Sequence, residues 1–140
     1  SGFSFTGCGD DITEIYEVGA NIESHWFDVS YEQWKWNVAA YRYEHTRTFH
    51  AFDDYMYDVG AVDGSVYIWK TINGTDYKVL TKCPSVLSYN ETGIPYTETI
   101  GFDAYLEPTK KLVFYIQRSD LSNDVYLDDY SFKIVFTYQQ

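Results

Sequence analysis

The chain has 140 residues and a mass of 16.4 kDa, a length that predicts one domain over residues 1–140. Aromatic residues make up 20% of the chain, a content that argues against disorder and favours strands. The formal net charge of −11 would repel phosphate backbones and anionic lipids, so we expect no nucleic-acid partner. No stretch is apolar enough to span a bilayer, so we expect no membrane insertion.

In chain order, short runs of alternating apolar and polar residues predict strands and no helix. The predicted strands cover residues 2–6, 13–18, 25–29, 33–43, 48–62, 65–72, 76–82, 97–106, 112–118 and 125–138. This pattern predicts an all-β fold, an antiparallel β-sandwich, with a closed barrel as the alternative.

Two dipeptides suit two-residue hairpin turns, in which both central positions need positive φ: Asp63-Gly64 and Asn73-Gly74. They predict a three-stranded antiparallel meander from residue 48 to residue 82. Proline and glycine near both ends of residues 83–95 predict one long surface loop there.

Alternation along the strands separates a mainly aliphatic side from an aromatic and polar side. The side predicted to be buried carries Trp34, Trp36, Val38, Ala40, Val66, Ile68, Ile100, Phe102, Ala104, Leu106, Leu112, Phe114 and Ile116. The side predicted to face outward carries Asn37, Tyr41, Tyr43, Tyr67, Trp69, Asp103, Tyr105, Tyr115 and Gln117. Each sheet of a sandwich buries only one face, so this outward set should be exposed.

An outward row of rings beside amides and carboxylates suits a sugar chain, because rings cover the apolar faces of pyranoses and polar groups bond to hydroxyls. The nine outward residues are therefore the predicted ligand-binding residues, and Trp69 is the foremost. The alternative is structural, since aromatic pairs also stabilise exposed strands.

Catalytic and redox signatures are missing from the sequence. Cys8 and Cys83 form no CxxC unit, so they predict either one disulfide or two buried thiols. His25, His45 and His50 lack metal-ligand spacing, and no nucleophile-elbow, zinc-protease or phosphate-loop motif occurs. We therefore expect a protein that is not an enzyme.

The C-terminal run changes its alternation phase at Asp128-Asp129, which predicts a β-bulge. Paired carboxylates at a bulge are ligands that a hard cation such as calcium prefers. The alternative is that both aspartates are solvated at a strand end.

Residues 125–132, which read VYLDDYSF, resemble the closing strand of jelly-roll carbohydrate-binding modules of the calcium-containing type. Residues 64–69 and the Asn73-Gly74 turn resemble the central hairpin of those modules. The resemblance implies a jelly-roll topology and a structural calcium at Asp128 or Asp129. Further ligands would come from the N-terminal strand, which offers Asp10, Asp11, Glu14 and Glu17. Extracellular MAM-type adhesion domains share the architecture, but they would be expected to have more cysteines.

Two hypotheses about function follow. The first is a noncatalytic module that binds a polysaccharide, a neutral plant-type β-glycan, and is tethered to a catalytic or scaffold protein. The second is an extracellular adhesion or protein-interaction domain that uses the same aromatic residues. Both imply a secreted or cell-surface location.

Overall fold

The structure, a computed structural model, describes residues 2–8, 11–18, 20–50 and 60–139, with side chains for residues 13, 22–50 and 60–137. A short 3-10 helix spans Tyr31–Gln33. The strands are β1 (Gly2–Cys8), β2 (Asp11–Val18), β3 (Ala20–Val29), β4 (Lys35–Asn37), β5 (Arg42–Arg47), β6 (Ala61–Ile72), β7 (Thr75–Lys82), β8 (Ser85–Glu91), β9 (Ile94–Tyr105), β10 (Lys111–Arg118) and β11 (Tyr130–Gln139).

The strands form two antiparallel sheets that pack face to face, as the sequence predicts. The six-stranded sheet has the order β1-β2-β3-β11-β6-β7, and the five-stranded sheet has the order β4-β5-β10-β9-β8. The chain crosses between the sheets after β3, β5, β7 and β10, and the closing strand β11 lies between β3 and β6. The protein is therefore an all-β, antiparallel β-sandwich, and its arrangement is consistent with a jelly roll.

The core consists of the inner faces of both sheets and is rich in phenylalanine. The fully buried side chains include Phe114, Ile100, Leu112 and Ile116 from one sheet and Val29, Val66, Phe132, Ile134 and Phe136 from the other. Trp34 is also buried, as predicted, and is 4% exposed. Alternation therefore assigned the inner face correctly in β6, β9 and β10, although Ala104 is exposed near the end of its strand.

The predicted strand over residues 33–43 is wrong, because a turn divides it. Asn37 ends β4, and its Oδ1 accepts hydrogen bonds from the backbone N–H groups of Ala39 and Ala40 at 3.0 and 3.2 Å. An asparagine side chain that binds the backbone two residues on favours a turn over a strand. As a result Val38, which was predicted to be buried, is 76% exposed.

The predicted meander is also wrong, because Asp63-Gly64 lies inside β6 rather than in a turn. A Cβ at Gly64 would overlap the ring of Phe102 from the opposite sheet, so the glycine permits close approach of the sheets. The second turn is confirmed: Asn73 and Gly74 have φ values of 51° and 79° between β6 and β7. Most of the predicted first strand, residues 51–59, lies outside the described residues.

Residues 83–95 do not form the predicted loop. They contain β8 and the start of β9, joined by a tight turn at Thr92 and Gly93 with φ values of 51° and 85°. Asn90 Oδ1 accepts a hydrogen bond from the Gly93 N–H at 2.9 Å and holds this turn. The proline and glycine residues therefore mark a hairpin, which adds an edge strand to the five-stranded sheet.

We predict that Trp34→Ala lowers the free energy of unfolding by about 3–5 kcal/mol, because it leaves a cavity in the core. The Trp34 ring lies edge-on to His45 and Tyr130, with ring centroids 6.3 and 6.4 Å away. Urea unfolding measures the effect. Val38→Ala, at an exposed site, is the control and should change little; equal stability of the two variants would contradict the placement of Trp34.

We predict that acidification destabilises the protein partly through His45. Burial, followed by the positive charge of Arg47, lowers the pKa of His45 below its ordinary value of 6.5. The unfolded chain then binds a proton more readily than the folded chain, so stability falls as the pH drops below about 6.5. Urea unfolding at about pH 7.5 and about pH 5.5 should show a smaller loss for His45→Gln than for the parent. An equal loss of unfolding free energy in the parent and the variant would show that His45 does not contribute to the pH dependence.

Candidate functional site

The residues predicted to form one aromatic face are divided between the two sheets. Trp69 and Tyr67 belong to β6 of the six-stranded sheet. The outer face of the five-stranded sheet carries Asn37, Asp103, Tyr105, Tyr115 and Gln117. The outer faces of a sandwich point in opposite directions, so the prediction of a single face is wrong.

Two other predicted binding residues lie elsewhere. Tyr43 is opposite Ile116 in the register, so it lies on the inner side, where it packs against the core. Its ring centroid is 5.0 Å from that of Trp36, and its hydroxyl donates to the Asn123 carbonyl at 3.1 Å. Its predicted outward orientation is wrong, because the turn at residues 38–41 resets the alternation.

Tyr41 lies in that turn with a φ of 55° and is exposed.

Arg42 organises the outer face of the five-stranded sheet, in what we term the Arg42 network. Its Nε lies 2.7 Å from Glu44 Oε2, and its Nη2 lies 2.9 Å from Asp103 Oδ2. Its guanidinium carbon is 4.4 Å from the centroid of the Tyr115 ring. Asn37 Nδ2 donates to the other Glu44 oxygen at 2.9 Å. The network therefore satisfies several polar groups that were predicted to bind a ligand.

Tyr115 and Gln117 are also engaged within the protein. A Cβ at Gly101 would lie 2.8 Å from the Tyr115 hydroxyl, so the ring covers this glycine while Arg42 stacks on it. Gln117 Nε2 donates to the carbonyls of Ala40 and Tyr41 at 3.1 and 3.3 Å. Arg42 and Glu44 were missed, although their two-residue spacing on one side of a strand was a usable signal.

The outer face of the six-stranded sheet offers more accessible apolar surface, which we term the Trp69 face: Tyr67, Trp69, Lys78 and Leu80. Trp69 is 70% exposed, and Leu80, which lies opposite Tyr67 in the register, is 47% exposed. Lys78 pairs with Trp69, and its Nζ is 4.9 Å from the centroid of the Tyr67 ring. The outward orientation predicted for Trp69 and Tyr67 is confirmed.

A concave site that was not predicted lies between the sheets at one end of the sandwich. We term it the tyrosine cleft. It has a volume of about 420 Å³ and is lined by Tyr89, Glu91, Tyr96, Glu98, Arg118, Asp124, Tyr126 and Tyr130. Half of these residues come from the segments 83–95 and 119–129, where the sequence predicted loops or a different strand phase, and this is why the cleft was missed.

Arg118 and Glu98 form the floor of the tyrosine cleft. They are opposite each other in the register of β10 and β9 and are only 9% and 4% exposed. Burial raises the pKa of Glu98, the positive charge of Arg118 opposes that shift, and Asp124 adds to it. Arg118 stacks on Tyr96, with 3.7 Å from its guanidinium carbon to the ring centroid.

The tyrosine cleft also affects the hydroxyl groups around it. Burial raises the pKa of Tyr130, and neighbouring tyrosines and carboxylates add to that shift. Burial likewise raises the pKa of Tyr89, followed by the charge of Glu98. These hydroxyls therefore stay protonated near neutral pH and can both donate and accept hydrogen bonds.

Asp128 and Asp129 lie in an irregular segment before β11, so the predicted bulge is wrong: no strand pairing exists there for a bulge to interrupt. Asp129 Oδ1 accepts from the Tyr31 N–H at 2.8 Å, and Asp128 Oδ1 accepts from the Asp129 N–H at 2.8 Å. In the described part of the chain, no group of three or more His, Cys, Asp or Glu side chains could hold a metal ion.

The two aspartates by themselves do not make a calcium site. The predicted partner Asp10 lies outside the described residues, and so do the side chains of Asp11, Glu14 and Glu17. Calcium at Asp128 and Asp129 stays a prediction.

Two further sequence-based questions concern the thiols and the membrane. Cys83 is a free thiol whose pKa burial raises to about 12, while the side chain of Cys8 is outside the described set. Cys83 is therefore a half-buried free thiol, and the prediction of two buried thiols is not tested at Cys8. Among the residues that the structure describes, no helix has the length and apolar character needed to cross a membrane.

Comparisons with known proteins supply no relative from which a role could be transferred. The chain matches no protein-family model, no curated protein sequence and no solved structure. Its function must therefore be inferred from the chemistry of its own residues.

If calcium joins Asp128 and Asp129 to the N-terminal segment, metal at about a hundred times its dissociation constant should stabilise the fold by about 2.7 kcal/mol. In metal-free protein, added calcium should then raise the melting temperature by several degrees, and a chelator should reverse the increase. The double variant Asp128→Ala/Asp129→Ala should not respond. Identical melting curves of the parent protein with calcium and with chelator would refute the calcium site.

Proposed function

We propose that this chain is a noncatalytic carbohydrate-binding module that holds a neutral polysaccharide against its Trp69 face. The observation that carries the proposal is the 70% exposure of Trp69 within an outward-facing strand of the sandwich. Removing a large aromatic ring from water is favourable by about 2 kcal/mol. Because the Trp69 ring stays in water in the free protein, a ligand that covers the ring gains this free energy. Aromatic anchors also lose little conformational entropy on binding.

The neighbours of Trp69 supply the polar part of such a site. Lys78 lies directly opposite Trp69 and also approaches the Tyr67 ring, so its ammonium group can donate to sugar hydroxyls beside both rings. The net charge of −11 disfavours anionic polysaccharides at long range. A neutral chain, such as a plant-type β-glycan, fits both features.

The shape of the Trp69 face supports binding rather than cleavage. A flat sheet surface leaves its ligand in water, whereas catalysis of glycosidic bond cleavage relies on carboxyl groups on both sides of an enclosed bond. A flat face also suits the interior of a chain. As a binding unit, the domain would act when tethered to a catalytic or scaffold protein that is secreted or displayed on the cell surface.

A second candidate function is an extracellular adhesion or protein-interaction domain. An aliphatic side chain of the Trp69 face favours it: Leu80, which lies opposite Tyr67 in the register, is 47% exposed. Branched aliphatic groups do not stack on sugar rings, but they do fill the apolar centre of a protein interface. The two functions differ in the kind of ligand that is bound.

We predict that Trp69→Ala weakens glycan binding by about 1.5–3 kcal/mol and leaves the fold intact, because the ring is an anchor that packs outward. Electrophoresis through gels that contain soluble glucans, mannans or xylans measures the binding as retardation. Tyr105→Ala, which removes a ring from the opposite outer face, is the matched control and should be retarded like the parent protein.

Two results would count against this assignment. Equal retardation of Trp69→Ala and the parent protein would remove Trp69 from the site. A parent protein that no glycan retards, but whose Trp69 face binds an extracellular protein, would support the adhesion domain instead.

A further inference from the structure

The tyrosine cleft contains two gaps between opposite charges, and both gaps are too wide for a direct hydrogen bond. Arg118 Nη2 is 3.9 Å from Glu91 Oε2, and Arg118 Nη1 is 3.8 Å from Asp124 Oδ2. The Arg118 side chain is 10% exposed, and it is anchored by its 2.8 Å bond to the Asp124 carbonyl and its 2.9 Å approach to Asp120. The guanidinium is therefore fixed, while the two partner carboxylates stand off from it.

A hydroxyl oxygen fits each of these gaps. Typical hydrogen bonds span about 2.9 Å from nitrogen to oxygen and about 2.7 Å between oxygens. One oxygen atom can therefore reach both sides of a gap of 3.9 Å. It would accept from the guanidinium and donate to the carboxylate, and a hydroxyl group is able to do both.

Simple ions fit the same gaps less well. An anion can accept from Arg118 but cannot donate to Glu91 or Asp124, and it would meet their negative charges. An ammonium group can donate to the carboxylates but has no lone pair for the guanidinium. Two neighbouring hydroxyls, one for each gap, would bond to the guanidinium and to both carboxylates, and adjacent hydroxyls are the common pattern of a sugar ring.

The rings around the cleft suit the remaining surface of a sugar. Tyr96 is held between Arg118 and Tyr89, whose ring is stacked 5.3 Å away from it. Tyr126 is 80% exposed at the rim, so its ring is available to cover an apolar sugar face. The cleft volume of about 420 Å³ is near the lower end of the volumes of small-molecule pockets. A ligand of one or two sugar rings fits this volume.

We propose that the tyrosine cleft is a second carbohydrate site, which takes the terminal one or two units of a neutral glycan through a pair of adjacent hydroxyls. This inference rests on the proposed function and extends it. The flat Trp69 face holds the interior of a chain, whereas the concave cleft holds its end. Arg118 donates hydrogen bonds to both hydroxyls, and the carboxylates of Glu91 and Asp124 accept hydrogen bonds from them.

The experiment titrates trisaccharides of β-linked glucose, mannose and xylose into the full chain by calorimetry. The cleft variant is Glu91→Ala/Asp124→Ala, whose side chains are 60% and 83% exposed, so the fold should survive. Asp63→Ala/Glu107→Ala removes the same charge from exposed positions elsewhere and is the matched control. Trp69→Ala reports on the other site.

The parent protein should bind at least one trisaccharide, and the cleft variant should bind it about tenfold more weakly or worse. The control pair should stay within about twofold of the parent protein. In the Trp69→Ala variant, the association constant per mole of oligosaccharide should not increase with the length of the oligosaccharide, because only a chain end enters the cleft.

Failure of this inference is distinguishable from failure of the proposed function. Retardation by a polysaccharide without trisaccharide binding would overturn the cleft site and leave the Trp69 face standing. Trisaccharide binding that survives in the cleft variant but is lost in Trp69→Ala would overturn it in the same way. A protein that neither polysaccharide nor trisaccharide binds would overturn both.

Discussion

Contact between phenylalanine rings of the two sheets is the interaction on which the rest of the molecule depends. Phe114 of the five-stranded sheet lies 4.8 Å from Phe132 and 5.3 Å from Phe27 of the other sheet, measured between ring centroids. Aromatic pairs at such distances add to the free energy gained by burial. Once these rings are buried, alternation directs the next residues along the same strands toward the outer side of each sheet, and both outer faces follow from that constraint.

The two outer faces use their aromatic residues differently. On the five-stranded sheet, Arg42 draws Glu44, Asp103 and Tyr115 into one network, so polar and aromatic groups stabilise each other. On the six-stranded sheet Trp69 is left 70% exposed. Exposed apolar surface of this kind commonly marks an interaction site, whereas a satisfied network does not. This contrast between the faces supports the proposed glycan binding at the Trp69 face.

The tyrosine cleft forms where the core ends and the strands continue past it. Arg118 and Glu98 occupy inner positions in the same alternation as Ile116 and Ile100, but at the last pair of the ladder. Burying a charged pair is costly unless its remaining groups are satisfied. The Asp124 carbonyl and the Tyr96 ring contact Arg118, whereas the carboxylates of Glu91 and Asp124 lie 3.9 and 3.8 Å from it, and this arrangement supports the proposed hydroxyl ligand.

The sequence by itself determined the all-β sandwich, the Asn73-Gly74 hairpin, the burial of Trp34 and the outward orientation of Trp69, because side-chain alternation and turn chemistry are local properties. It misplaced Asp63-Gly64, since the same dipeptide can form a tight turn or permit the close approach of Phe102, and only the opposing sheet decides between them.

The sequence also could not show that Trp69 and Tyr115 lie on opposite sides of the molecule. Alternation fixes which way a side chain points within its own sheet, but membership of a sheet depends on pairing between distant strands. The cleft depends on tertiary structure for the same reason: β8, β9, β10 and the segment before β11 supply its residues, and only packing brings them together.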